Sequence, residues 1–157
     1  MIYTYFAHGK IDITMVINGI LAGLVAITAG CNVVGPVSAI IIGLFAGILV
    51  DLAVICIDKL KVDDPVGAIA VHGINGLFGT IAVGLFASDG GLFFGGGLSF
   101  LTTQVIGVLA IATFSFTFTF IIMKIMEKVL GIRISREEEI AGIDSVSFGV
   151  ESYSTYE

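Results

Sequence analysis

The chain has 157 residues, of which 57% are hydrophobic, 13% are charged and 21 are glycine. Soluble domains carry about 25% charged residues, so this chain has too few to cover a water-exposed surface. The net charge of −6, with three consecutive glutamates at 137–139, argues against nucleic acid as a partner. The composition therefore predicts an integral membrane protein surrounded by lipid.

Four apolar segments follow one another, each long enough to cross a hydrocarbon core of about 30 Å as a helix. We predict transmembrane helices near 13–31, 33–57, 65–87 and 98–130. The last includes FSFTFTF, whose alternation is typical of a strand, but a lone strand in lipid leaves its backbone groups unpaired. The chain is thus predicted to be all-α, with a transmembrane region at 1–130 and a tail at 131–157.

Polar residues near the ends of these segments indicate where the helices begin. Asp64 followed by Pro65 is typical of a helix start, with an acidic N-cap and proline at the first helical position. Asp51 is expected near a membrane interface, because an isolated carboxylate at mid-bilayer is costly. His8 precedes the first helix and is expected to be solvated.

The basic residues predict the orientation. With four crossings, all seven lie on one side, which the positive-inside rule makes cytoplasmic. They are Lys10, Lys59, Lys61, Lys124, Lys128, Arg133 and Arg136. We therefore expect a multi-pass protein of the cell membrane with both termini in the cytoplasm.

Small residues recur along the predicted helices. The first two contain GILAG at 19–23 and GLFAG at 43–47, and the third contains Gly73, Gly76 and Gly79. Such spacing lets helix backbones approach closely in lipid, which predicts a dense bundle. The alternative is that glycines on one face leave room for a narrow lumen.

His72 is the residue that a purely structural bundle does not explain. It lies eight residues after Asp64, about 12 Å into a helix of about 33 Å. Ionisable residues at that depth are functional candidates. Asn75 and Gly76, three and four residues on, share its predicted helix face and would suit a polar solute passing by. The alternative is a neutral histidine that donates one hydrogen bond across a helix interface.

Other kinds of chemistry lack their residues. Cys31 and Cys56 are predicted near opposite membrane faces and are most simply small apolar side chains. One buried histidine without neighbouring ligands is too little for a metal site, and no nucleophile has an identifiable base. The sequence therefore predicts neither an enzyme nor a bound metal or other cofactor.

Four ordered stretches carry a resemblance to a known family. They are INGILAGLVAITAGC at 17–31, VDDPVGAIAVHGINGLFGTIAVGLFA at 62–87, GGGLSFLTTQVIG at 95–107 and GIRISREEEIAGID at 131–144. In these stretches the chain resembles the last four helices and the tail of the ammonium transporter (Amt/Mep/Rh) family. That is the C-terminal part of an eleven-helix fold with two inverted halves, usually assembled as a trimer.

The resemblance implies a narrow apolar pore with two facing histidines, of which His72 matches the second. Asp64 matches the acidic cap of the same helix, and Pro65, Gly73 and Gly79 belong to its structural pattern. The first histidine, the aromatic gate and the outer cation-recruitment site come from earlier helices in that family. His72, Asn75 and Gly76 are accordingly expected to line a pathway for ammonium or ammonia.

The tail also resembles that of the family. The matching residues are Arg133, Glu137, Glu139, Gly142 and Asp144. The resemblance implies a cytoplasmic segment that contacts the pore region and PII-type proteins signalling nitrogen status, although Phe148 and Val150 depart from the usual H-G-E pattern. A disordered solubilising tail is the alternative.

Two functions follow as hypotheses. In the first, the chain is the C-terminal portion of an ammonium transporter, active as a homotrimer or with a missing N-terminal half, and His72 relays a proton or hydrogen-bonds ammonia. In the second, it is a truncated, non-transporting membrane protein that assembles with full-length transporter subunits.

Overall fold

The computed structural model describes residues 1–149. The end of the predicted tail, including Val150, lies outside the described residues. The described part is helical, and its β-type pairing is limited to an isolated antiparallel bridge between Val34 and Ala87. The chain divides into two compact units, Met1–Ala112 and Thr113–Glu157.

The first unit contains most of the helices. They are α1 (Ile2–His8), α2 (Ile13–Thr28), α3 (Pro36–Lys59), a π-helical segment (Ile69–Ile74) that continues as α4 (Asn75–Phe86), a 3₁₀ turn (Leu92–Phe94) and the beginning of α5 (Leu98–Leu130). The all-helical prediction is confirmed for this unit.

Within the described residues, three stretches are long and apolar enough to cross a membrane: Pro36–Lys59, the continuous Ile69–Phe86, and Leu98–Leu130. The helix α2 is also apolar, but its 16 residues span about 24 Å, less than a hydrocarbon core of about 30 Å. Residues 1–149 thus contain three to four apolar helices, of which three have the length to cross a membrane.

The chain turns where the first helix was predicted to continue. The N–H of Gly30 donates to the carbonyl of Ile27, and the N–H of Val34 donates back to the carbonyl of Gly30, both at 3.0 Å. These turn hydrogen bonds end α2 at Thr28, before the predicted end at residue 31. The next helix begins at Pro36, because proline suits the first helical position.

The third predicted helix begins later than expected. Pro65 lies in a turn, and helical geometry starts at residue 68, because Gly67 adopts a left-handed conformation with φ +74°. The prediction that Pro65 occupies the first helical position is therefore wrong.

Alanines bring α2 and α3 together. Ala22, Ala26 and Ala46 are almost completely buried and pack with the larger Ile42 and Val50. The glycines of the two pentapeptides are more open: a Cβ added at residue 19, 43 or 47 would meet no atom within 4 Å. A Cβ added at Gly23, however, would lie 3.9 Å from the Cα of Gly43, so α2 and α3 approach each other at this glycine pair, whereas Gly19 and Gly47 face open space.

The second unit contains the rest of α5, followed by α6 (Arg136–Ala141) and α7 (Ile143–Ser147). The FSFTFTF stretch is helical as predicted. Its phenylalanines stack one turn apart, with ring centroids 5.8 Å apart for Phe114 and Phe118 and 6.1 Å apart for Phe116 and Phe120.

Candidate functional site

His72 lies in the π-helical segment and is exposed on the surface of the first unit. Gly73 beside it is also exposed. Within residues 1–149 no side chain forms a hydrogen bond with the imidazole. The interface hydrogen bond that would make His72 structural is therefore not seen in the described part of the chain. The imidazole is available to whatever lies against this surface.

Asp64 holds the N-terminal end of this helix. Its Oδ1 accepts a hydrogen bond from the backbone N–H of Ala68 at 2.7 Å, and its Oδ2 accepts from Ile69 at 2.9 Å and Ala70 at 3.4 Å. A carboxylate here satisfies N–H groups that have no intrahelical partner and complements the positive end of the helix dipole. The start of the π-helical segment is thereby fixed.

Asn18 of α2 ties the turn before this helix to the bundle. It is 5% exposed, and its Nδ2 donates to the carbonyl of Val66 at 3.2 Å. A Cβ on Gly67 would lie 2.7 Å from that same Nδ2. Glycine is therefore required at residue 67 both for the close contact and for its left-handed backbone.

Asn75 holds the C-terminal end of the π-helical segment from inside the core. Asn75 is completely buried. Its Nδ2 donates to the carbonyl of Ala70 at 2.9 Å, and its backbone N–H points to the carbonyls of Ala70 and His72. Its Oδ1 has no hydrogen-bond partner among the described residues. A buried, unpaired acceptor costs about 1–3 kcal/mol.

Gly79 places α4 directly against α2. A Cβ at this position would collide with the backbone carbonyl of Ala26. Gly76, one turn earlier, faces Val25, whose Cγ1 would lie 3.9 Å from an added Cβ. At Gly79 the backbones of α4 and α2 therefore lie in close contact.

The structure separates residues that the sequence placed on one face. His72 is exposed, Asn75 lies in the core and Gly76 is half-buried. An α-helix would place residues three and four apart side by side, but a π turn has i→i+5 hydrogen bonds and changes that spacing. His72 is therefore the most exposed of the three, and Asn75 does not share its surface.

His8 and Asp51 form a polar pair that the sequence did not predict. The Nε2 of His8 lies 2.9 Å from the Oδ2 of Asp51, whose side chain is 4% exposed. His8 is exposed, with 41% of its side chain accessible, which agrees with its predicted solvation, but it also shares a hydrogen bond with the buried Asp51. The location of Asp51 near a membrane interface stays a prediction. The two residues are 43 positions apart, so periodicity could not have paired them.

A large open cavity of about 670 Å³ adjoins this pair. Residues from α1, α2 and α3 line it, among them Phe6, Gly19, Gly43, Gly47 and Asp51. Its walls are mainly apolar, so it is suited to lipid or to a further apolar helix.

The tail begins with a capped helix. The Oγ of Ser135 accepts from the N–H of Glu138 at 3.2 Å, and the Oε2 of Glu138 accepts from the N–H of Ser135 at 2.9 Å. These hydrogen bonds, the backbone one first, hold the pKa of the exposed Glu138 carboxyl below its ordinary value. The reciprocal pattern is a capping box.

The predicted tail residues lie around this helix. Glu137 and Glu139 are in the first turn of α6, Gly142 has φ +92° between α6 and α7, and Asp144 is in the first turn of α7. Arg133 lines a cleft of about 360 Å³. All five are exposed or half-buried, and so accessible from this surface.

A family model described as Ammonium Transporter Family matches residues 1–153. This chain belongs to that family. It is 37% identical to the ammonium transporter Amt2 of Archaeoglobus fulgidus over 99% of this chain and 36% of the relative. It is 36% identical to an ammonium transporter of Mycobacterium tuberculosis over 92% of this chain and 33% of the relative.

Solved structures agree. The chain is similar to a protein described as a sensor Amt protein, with a TM-score of 0.83, 40% identity and coverage of 93% of this chain and 37% of that one. It is also similar to the Mep2 mutant delta442 from Candida albicans, with a TM-score of 0.77, 32% identity and coverage of 85% and 36%. The chain thus spans about a third of the length of the curated relatives it matches.

Proposed function

We propose that this chain forms the C-terminal part of an ammonium transporter and supplies one wall of its ammonium or ammonia pathway, with His72 as the pathway side chain. Family membership and the names of the relatives support ammonium transport. The observation that carries the role of His72 is its exposed imidazole on a segment that Asp64 and Asn75 hold at both ends. The order of the sequence motifs supports the C-terminal position.

The chemistry of an imidazole suits this pathway. Moving an ammonium-sized ion into a medium of low dielectric has an idealised cost of order 20 kcal/mol, most of which disappears when the proton is removed. A neutral imidazole accepts or relays a proton near physiological pH and forms a hydrogen bond with ammonia. His72 would therefore let ammonia cross an apolar passage while the proton takes a partly separate route.

The uncovered apolar surface of the chain supports its assembly with further helices. Large apolar side chains of α2 and α3, among them Leu24, Leu44 and Phe45, are exposed on the first unit. In a membrane they face lipid or the other helices of the transporter. We propose that the complete transporter is a homotrimer in the cell membrane, with both termini of this chain in the cytoplasm. Its exposed tail would be available there to a PII-type signalling protein.

The test replaces the imidazole in the transporter that contains this chain. His72→Ala should sharply change ammonium uptake, or the number of protons moved with it, while the amount of protein in the membrane stays the same. Ile69→Ala alters an exposed apolar side chain of the same segment and is the matched control. Uptake and proton coupling unchanged in His72→Ala would remove His72 from the pathway.

The same experiment addresses the alternative of a non-transporting interaction protein. The relatives that match nearly all of this chain are named as transporters, which favours transport. If the assembled complex binds transporter subunits but takes up no ammonium, the interaction function would replace the proposed one.

A further inference from the structure

The side chain of Asn75 performs a task that an apolar residue could not. Two donors of the same residue, its backbone N–H and its Nδ2, converge on the carbonyl of Ala70, five residues earlier. The i→i+5 hydrogen bond defines a π turn, and the amide adds a second bond to the same acceptor. The amide thus stabilises the wider turn at the junction with α4.

This arrangement is not the one that stability alone favours. Asn75 is completely buried and leaves Oδ1 without a partner among residues 1–149. Rotating the amide by 180° would point that oxygen at the carbonyl of Ala70, which cannot donate a hydrogen bond. An alanine would avoid the unpaired acceptor but would lose the bond from Nδ2.

The neighbouring contacts explain why a wide turn is needed here. On one side, Gly79 sets the rotation of α4 by its close approach to Ala26. On the other side, Asn18 and Asp64 fix the beginning of the segment through their hydrogen bonds to the backbone. Both ends are therefore held, and the π turn accommodates the extra residue between them.

We propose that Asn75 is a positioning residue, which holds the π turn and so sets the direction in which His72 points. This inference rests on the proposed function, because it is the pathway role of His72 that gives the direction a consequence. Without the amide, the segment relaxes toward α-helical spacing, and residues before Asn75 turn by up to about 100°, the angle of one residue. His72 then moves away from its present position and Val71, now buried, moves toward it.

The first measurement follows the turn itself and needs no transport. Cys31 and Cys56 are exposed, so both are first replaced by serine. Val71→Cys and His72→Cys are then introduced singly and labelled with a small cationic methanethiosulfonate. Position 72 should react faster than position 71, and the ratio should fall about fivefold when Asn75→Ala is added.

Two further variants separate this effect from general damage. Asn75→Ser supplies a hydroxyl that prefers carbonyls three or four residues back, so it should lower the labelling ratio as well. Thr80→Val removes a side-chain hydrogen bond to Gly76 in the same helix and should leave the ratio unchanged. An unchanged ratio in both Asn75 variants would overturn the proposal whatever the transporter does.

The second measurement is the pH profile of ammonium uptake in the complete transporter. Asn75→Ala should displace the profile in the direction that His72→Ala does, and the double variant should resemble His72→Ala alone, because contacts that act through one residue are not additive. Additive effects would contradict the positioning role. If His72→Ala leaves uptake unchanged while the labelling ratio still falls, the turn is held by Asn75 and the proposed pathway role is what fails.

Discussion

Asp51 shows how one ionisable residue is tolerated inside an apolar helix. It lies within α3, and its carboxylate is nearly inaccessible apart from its contact with His8. Burial of a charge without a partner is costly, and removing one member of a buried pair costs more than replacing both. The pair therefore fastens the short α1 to α3, and the structure gives His8 a structural role that its place in the sequence concealed.

At Gly79, the available space decides which residue fits. An added Cβ would collide with the Ala26 carbonyl, whereas an added Cβ at Gly73 would lie 3.7 Å from the side chain of Ile69, an ordinary contact. We predict that Gly79→Ala destabilises the bundle by about 1–3 kcal/mol through overpacking. Gly73→Ala makes the same chemical change at an open position and should have little effect. Thermal unfolding of the detergent-solubilised transporter measures both.

Equal stability of these two variants would contradict the close approach of α4 to α2. If both variants lose stability, the cause would be the replacement of glycine itself rather than the contact between Gly79 and Ala26. The pair of variants thus isolates one point of the helix interface.

The elements that the sequence predicts well are those that are long and apolar enough that a helix is the only backbone structure that suits lipid. The long α5 agrees with its predicted bounds of 98–130, although FSFTFTF alternates like a strand. The backbone of a lone strand would be unpaired in lipid, so length outweighs local periodicity. The predicted and observed helix bounds differ where polar residues interrupt the apolar segments.

The π-helical segment could not be predicted from periodicity. Hydrophobic spacing does not distinguish one π turn from an α-helix. The contacts that accompany the turn are the local bond from Asn75 to Ala70 and the long-range contacts of Asn18 and Gly79. The polar Asn18 in an otherwise apolar helix was a signal that a buried partner existed. Its partner, the carbonyl of Val66, carries no sequence signature.

The helix α6 has a pH dependence that its capping box predicts. The pKa of Glu138 is lowered from 4.5 by its hydrogen bonds to Ser135, so the folded helix favours the ionised carboxyl. The stabilisation is therefore fully present above the unfolded pKa and is lost as the pH falls through the lower, folded one. Helical carbon chemical shifts of residues 136–141 should decline over that range.

Glu138→Gln should remove this transition and leave α6 less helical at neutral pH. Glu137→Gln, a change in the same first turn outside the capping box, should keep the transition. If both variants lose helicity to the same extent, the helix dipole rather than the capping box would account for the effect.

At the scale of the whole molecule, an uncovered apolar surface and a hydrogen-bonded interior occur together. The side chains of α5 are mostly exposed, with Val108 the buried one in that helix. At 33 residues and about 50 Å, this helix is longer than the hydrocarbon core and must extend beyond it or tilt. A chain with such surfaces needs lipid or further helices around it, as expected for part of a larger transporter.

The orientation of the chain is the remaining prediction. All seven basic residues lie on one side only if the apolar segments cross the membrane four times, including α2, which is short for a span. With Cys31 and Cys56 replaced, an impermeant thiol reagent added outside intact cells should label Ser88→Cys and leave Lys61→Cys unlabelled. Ser88 is exposed and its backbone is unstrained, whereas Gly90 has φ +83° and is a poorer site for a cysteine. Permeabilised cells should label both positions. Labelling at residue 61 alone in intact cells would show that the chain has the opposite orientation. Labelling at both positions would mean that the stretch between them does not cross the membrane.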